Sequence, residues 1–177
     1  MTYLQLLLRL CGEFKQILAM AFDGSVIYQV ANDLGLDNLN RVARRAGVMS
    51  VLQVTAYYSG RRVRHSVARV IEYQLGEVEL LLVYEGFNRH KPLRLSLPKD
   101  RLEKLVRALR QAKFDTLRDQ DGLSFTDRGL WLIQRAAGTY SHGVIVSPDK
   151  PQLPWSSIVN AIDDYLPSAI REVPLRN

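Results

Sequence analysis

Residues 48–97 alternate hydrophobic and polar positions with a period of two, which predicts β-strands. The stretch SVLQVTAYY at 50–58 is rich in Val, Thr and Tyr, residue types that suit a pleated surface. In PLRLSLP, Leu93, Leu95 and Leu97 are expected to face inward. Turn residues at 59–62 and 76–77 separate the runs. The pattern predicts an antiparallel meander with one face on the core. Its later strands cover 63–75, 78–86 and 92–97.

The second half of the chain adds two helices and a hairpin. KDRLEKLVRALRQAK at 99–113 has an apolar stripe at helical spacing, and Pro98 ends the strand before it. Residues 129–148 read as a hairpin. A closing helix follows at 155–166, because Pro154 is favoured in a first helical turn and Pro167 prevents continuation. The unit strand, strand, helix therefore occurs twice, at 78–113 and 129–166, with negligible residue identity.

The N-terminal 47 residues are predicted to be mainly helical. Residues 1–22 fit an amphipathic helix that packs on the core, on a partner or on a membrane surface. VIYQVANDLGL, at 26–36, is ambiguous. A second helix is expected over 37–47, with Asp37 as its N-cap and Gly47 at its end.

The stretch VARRAGV at 42–48 resembles the opening of a bacterial repressor's helix-turn-helix. A DNA-reading helix would then have to occupy residues 50–58, where the composition favours a strand instead. We therefore predict a helix that ends at Gly47 and passes directly into the first strand.

Together these elements predict an α+β fold, an antiparallel meander sheet covered by helices, in the order α-α-β-β-β-β-α-β-β-α. We expect a single domain over residues 1–177, with a helical segment at 1–47 and a sheet-plus-helix core at 48–172. The order resembles that of small bacterial secretion chaperones, with an added strand and a second leading helix. The resemblance rests on element order alone and implies a binding module.

Charge is concentrated in the middle of the chain. The formal net charge is +6, but residues 41–113 alone carry sixteen basic and six acidic side chains. Such a surface attracts phosphates, acidic proteins or anionic membranes, or simply keeps a protein in solution. The candidate anion- or partner-binding residues lie in two predicted turns and one helix: Arg61, Arg62, Arg64, Arg89, His90, Lys91, Lys104 and Arg107. If the turns meet at one edge of the sheet beside the helix, they form a basic rim.

No residue pattern indicates catalysis, a cofactor or a metal. The three histidines are far apart in sequence, and RDQDGLSFTD at 118–127 lacks the spacing and the final Glu of a calcium loop. The single Cys11 forms no internal disulfide, which suits a reducing compartment, so we expect a cytoplasmic protein. No run approaches the roughly 20 apolar residues of a membrane span. A dispersed active site is a third alternative.

The leading hypothesis is a non-enzymatic interaction, assembly or chaperone-like module that binds a protein partner or a second copy of itself through a sheet edge or a helix face. The alternative is nucleic-acid binding through the basic region 41–113, where Tyr57, Tyr58 and Phe87 would add stacking surface. Peripheral contact with a membrane through the first helix is also open.

Overall fold

A computed structural model describes residues 24–59, 62–87, 91–124, 129–167 and 171–175. Two helices lead the described chain, α1 (Ser25–Asp33) and α2 (Leu39–Ala43). Four strands follow: β1 (Val48–Tyr57), β2 (Ser66–Tyr73), β3 (Val78–Tyr84) and β4 (Leu93–Ser96). Helix α3 (Lys99–Gln111), a 3-10 turn (Phe114–Thr116), β5 (Leu130–Ala137), β6 (Tyr140–Val146) and α4 (Trp155–Tyr165) complete the order. The α+β prediction is confirmed, while the helix predicted over 1–22 lies entirely outside the described residues.

The leading helices differ in detail from the prediction. The ambiguous segment after Gly24 forms α1, and the helix predicted over 37–47 is confined to α2. Asp37 is not its N-cap: Oδ1 of Asn38 accepts the amides of Asn40 and Arg41, at 3.0 and 3.4 Å. Asp37 instead forms an ion pair with Arg45. Both residue types cap helices well, so the sequence alone did not separate these neighbours.

The junction after α2 is as predicted in part, because the helix ends at Ala43 and not at Gly47, but the first strand begins directly after the glycine. Gly47 has φ +81°, a left-handed conformation that glycine adopts at little cost, and β1 begins at Val48. Residues 50–57 lie in this strand and not in a second helix. The resemblance to a helix-turn-helix therefore ends at the glycine.

The six strands form one antiparallel sheet in the order β4-β3-β2-β1-β5-β6. Strands β1 to β4 make the predicted meander, and β5 returns to pair with the free side of β1. The β1–β2 and β3–β4 connections lie at one end of the sheet, and the β2–β3 and β5–β6 turns lie at the other. This topology leaves β4 and β6 as the two edges.

Helices α3 and α4 cover one face of the sheet and bury the largest apolar cluster. Leu105 of α3 and Ile158 and Ile162 of α4 have no exposed surface, and they pack over Val54 and Ile133 of the central strands. Each such side chain contributes about 1.5–3 kcal/mol through burial, so this face supplies most of the core.

The second face is also covered, contrary to the expectation of a single buried face. Helix α1 places Val30 and Leu34 near Val67, and α2 places Val42 near Val51 and Ile71. The two helices are short, but each buries an apolar stripe on the sheet. Side chains that alternation assigned to solvent are therefore enclosed.

Candidate protein-interaction edge of the sheet

Strand β4 differs from the other strands because all four of its residues are exposed. It pairs with β3 in the register Leu80 with Leu95 and Leu82 with Leu93. Leu93 and Leu95 lie on the α3 face, as predicted, but they are not buried there, because 46% and 49% of their surfaces remain exposed. Leu97, just after the strand, is buried as predicted.

The position of β4 at the sheet edge explains this exposure. No strand of the described residues lies beyond β4, so among these residues its leucines have a neighbouring strand on one side only. The sequence does contain an indication that this strand is an edge. Pro92 and Pro98 lie at its two ends, and within sheets proline is confined to edge strands and strand ends.

The backbone of β4 offers hydrogen-bonding groups beyond the sheet. The Leu97 amide donates to the Val78 carbonyl at 3.0 Å. Bonded and non-bonded pairs alternate along an antiparallel ladder, so Leu93 and Leu95 direct their backbone groups to β3. Arg94 and Ser96 direct theirs outward, where no described residue bonds to them. We call this outer side of Leu93–Ser96 the open edge.

The second edge, at β6, is covered at its C-terminal end by the chain that follows the 3-10 turn. The Ile145 amide donates to Oδ1 of Asp119 at 2.7 Å, and the Ile145 carbonyl accepts the Gln120 amide at 2.9 Å. The Ser147 amide donates to Oε1 of Gln120 at 2.9 Å. We call the outer side of Ile145–Ser147 the covered edge.

The same connection also holds side chains at the start of β6. The Tyr140 hydroxyl donates to Asp115 at 2.7 Å, and Arg135 forms an ion pair with the same carboxylate. Burial, followed by this hydrogen bond, raises the pKa of Tyr140 to about 12. A ring nitrogen of His142 contacts the Leu117 carbonyl at 2.9 Å. The chain thus fixes both ends of β6.

Three cationic side chains lie near the open edge. Arg94 projects from the face opposite the two leucines and forms an ion pair with Glu79 at 2.6 Å, yet 64% of its side chain stays exposed. Lys91 precedes β4 and Lys99 follows it, and both are exposed. An open cleft of about 760 Å³ lies at the Ser96 end, between the β2–β3 turn and the start of α3, and its charged lining residues are Arg94, Lys99, Glu77 and Glu79.

The predicted basic residues that the structure describes do not converge on one site. Arg62 and Arg64 lie at the β1–β2 end of the sheet, where their backbones pair with the C-terminal segment through Leu175 and Val173. The Arg64 guanidinium donates to the Glu85 carbonyl at 2.6 Å, which ties together the two connections at that end. Arg61, Arg89 and His90 lie outside the described residues.

Helix α3 is not beside those loops. Lys99, its first residue, reaches the β2–β3 turn, and Asp115, just beyond its end, contacts Tyr140 next to the β5–β6 turn. Lys104 is exposed and pairs with Asp100 at 3.3 Å, and Arg107 is exposed on the same helix. Of the candidate residues that the structure describes, only Lys91 adjoins β4.

Sequence reasoning missed a buried polar row beneath α1 and α2. Arg69 of β2 is 2% exposed and donates to Oε1 of Gln53 at 2.8 and 2.5 Å, and Gln53 in turn bonds to Gln134. No described carboxylate lies within ion-pair distance of Arg69. Burial of the charge lowers the pKa of Arg69 to about 10. This row lies on the face opposite Leu93 and Leu95, so it is separate from their surface.

Within the described ranges, no three His, Cys, Asp or Glu side chains are grouped to hold a metal ion. None of the described helices has the length and apolar character needed to cross a membrane. Comparison with known families finds no family model that matches the chain, and comparison with curated proteins finds no matching protein. The geometry of the two sheet edges is therefore the main indication of function.

Proposed function

We propose that this protein is a non-enzymatic interaction module that binds an extended segment of a partner protein along the open edge. The observation that carries the proposal is the outward backbone of Arg94 and Ser96, beside the half-exposed Leu93 and Leu95. An unpaired edge is a template for another strand, and strand addition is a recurring mode of peptide recognition. Main-chain bonds would supply affinity and the leucines would supply an apolar contact.

Features of β4 also restrict what can pair with it. The strand has four residues and lies between Pro92 and Pro98, which cannot extend a ladder as donors. Short edge strands and flanking prolines are common protections against uncontrolled sheet growth. The open edge is therefore suited to a short segment and not to an unlimited stack of strands.

The test uses proline at outward-facing amides. Ser96→Pro removes one of the two outward N–H groups of the open edge, the other being that of Arg94, without breaking a bond to β3. Ser141→Pro is the matched control, because Ser141 lies four residues before Ile145 and its amide also points outward from β6. Both variants and the unaltered protein would serve as baits in affinity purification, with and without nuclease treatment.

We expect partner proteins that the unaltered protein and Ser141→Pro retain and that Ser96→Pro loses, irrespective of nuclease. Native mass spectrometry of the purified complexes would give their stoichiometry. A partner set that is the same for all three baits would refute the open edge as the binding site. So would the absence of any partner together with a strict monomer.

A second candidate function, nucleic-acid binding, is supported by the basic surface that includes α3. Residues 91–113 contain eight basic and two acidic side chains, and Arg101, Arg107 and Arg110 are exposed on the helix. Binding of a mixed-sequence oligonucleotide should then fall steeply as salt rises. Changing these three arginines to Glu should abolish it, whereas Ser96→Pro should leave it unchanged. Absence of binding at low salt would remove this candidate.

A further inference from the structure

We propose that the segment bound at the open edge is acidic, with acidic and apolar residues in alternation. This inference rests on the proposed function and specifies the chemistry of the partner. It follows from what lies on each side of β4, because successive residues of an added strand would point to opposite faces of the sheet.

The α3 side of the open edge is apolar. Leu93 and Leu95 are on this side, and each is about half exposed. Side chains of an added strand that point to this face would lie about 5 Å from them, within reach of direct packing. Apolar residues at alternate positions of the partner would cover the exposed leucine surface.

The other side and both ends of the open edge carry three cations, Arg94, Lys91 and Lys99, with Glu77 and Glu79 also present at the Ser96 end. Arg94 lies between the leucines and points to the α2 face, and its pairing with Glu79 engages one nitrogen and leaves most of the guanidinium exposed. Lys91 and Lys99 flank the strand. Carboxylates at the remaining alternate positions would meet Arg94 directly, with the lysines close to each end.

The charge distribution argues against a second copy of the chain as the occupant. Residues 91–113 carry a net charge of +6, equal to that of the whole chain, so edge-to-edge pairing of two copies would bring these regions together. Nucleic acid would satisfy the cations, but it has no alternating apolar face for the leucines. An acidic peptide strand satisfies the backbone, the leucines and the cations at once.

The test measures the binding of labelled peptides of about seven residues by fluorescence anisotropy, a length that matches a typical strand. One peptide alternates Glu and Val. A second alternates Lys and Val, and a third has the Glu and Val composition of the first in two blocks. A single-stranded oligonucleotide of similar length is the fourth probe.

We expect the alternating Glu peptide to bind at least about tenfold more tightly than the other three probes. Its affinity should fall about tenfold or more in Ser96→Pro and should stay unchanged in Ser141→Pro. Raising salt from about 0.1 to 1 M should weaken binding, because the Debye length shortens from about 10 to 3 Å.

The other outcomes separate the two proposals. If both alternating peptides bind equally and Ser96→Pro weakens both, strand addition stands and the acidic preference is wrong. A preference for the oligonucleotide, or a self-association that only Ser96→Pro abolishes, would also overturn the acidic partner. If no peptide binds, this inference fails, while the affinity purification still decides the proposed function.

Discussion

The two edges of the sheet differ in whether other described residues bond to their outer backbone groups. Beyond β6, Asp119 and Gln120 bond to the backbone of Ile145 and Ser147, and Ile145 is 2% exposed. Beyond β4, no described residue bonds to the outward groups of Arg94 and Ser96, and Leu95 is 49% exposed. Within the described residues, a connecting segment therefore bonds to the outer backbone groups of β6, and none does so for β4.

The connections on either side of α3 account for the difference. Between α3 and β5 the chain has 18 residues, and those at 117–120 lie along β6. Between β4 and α3 it has only Leu97 and Pro98, so nothing from that connection can turn back over β4. Such an edge is a liability for aggregation unless it has an occupant or is too short to propagate.

The largest expected difference is in the free energy of unfolding, between two variants that each lose an apolar side chain, one at each edge. Ile145→Ala removes a fully packed side chain beside the covered edge and should lower the free energy of unfolding by about 2–5 kcal/mol. Leu95→Ala should cost about 1 kcal/mol or less, because half of that leucine is already in water. Urea unfolding checks both values. Equal losses would mean that β4 is packed as well as β6.

An intermediate loss of stability is expected when Gln120, in the segment that covers the edge at β6, is changed. Gln120→Met keeps the length of the side chain but removes the acceptor of the Ser147 amide, so a buried donor is left unpaired. The variant should lose about 1–3 kcal/mol of stability. Gln74→Met, in the exposed β2–β3 turn, is the matched control and should change stability by less than about 0.5 kcal/mol.

Similar unfolding curves for these two variants would show that the cover contributes little. In that case the two edges would differ in geometry but not in energy. The exposure of Leu93 and Leu95 would then be the main remaining difference between the edges.

The smallest expected effect depends on pH. The pKa of Tyr140 is about 12 in the folded protein and about 10 in the unfolded chain, so the folded state holds its proton more tightly. Its contribution to stability is complete below pH 10 and is lost as pH rises through about 12. Unfolding curves of Tyr140→Phe should therefore depend less on pH across this interval.

The ultraviolet absorbance of tyrosinate provides the direct measurement. The titration of the unaltered protein minus that of Tyr140→Phe should have its midpoint near 12. A midpoint near 10 would show that the hydroxyl is not held against Asp115, and that this end of β6 is more open than the structure indicates.

Local patterns predicted most of the fold and little of the site. Strands and helices followed from periodicity, because each buries an apolar side that repeats along the sequence. Strand order did not follow, since it depends on contacts between distant residues such as Val54 and Ile133. The same limit applies to Leu93 and Leu95: alternation identifies the side of a strand but not whether another element covers it.

The polar residues show the same limit more strongly. Nothing in the sequence near Arg69 indicates that α1 and α2 enclose it, and nothing near Gln120 indicates that it bonds across to Ser147. The basic rim was inferred from charge density alone, and the topology sends α3 to the other end of the sheet from Arg62 and Arg64. The density of charge along a sequence reflects its composition. A binding site depends on which helices and strands lie side by side in the fold.

Residue-resolved amide hydrogen exchange, followed by NMR on the isolated protein, tests the central claim most directly. We expect rapid exchange at Arg94 and Ser96, because their amides point away from the sheet. Leu95 and Leu97, whose amides point to β3, should exchange slowly. Ile145 and Ser147, at the covered edge, should exchange slowly. If Arg94 and Ser96 were as protected as Ile145 in the isolated protein, the open edge would not exist.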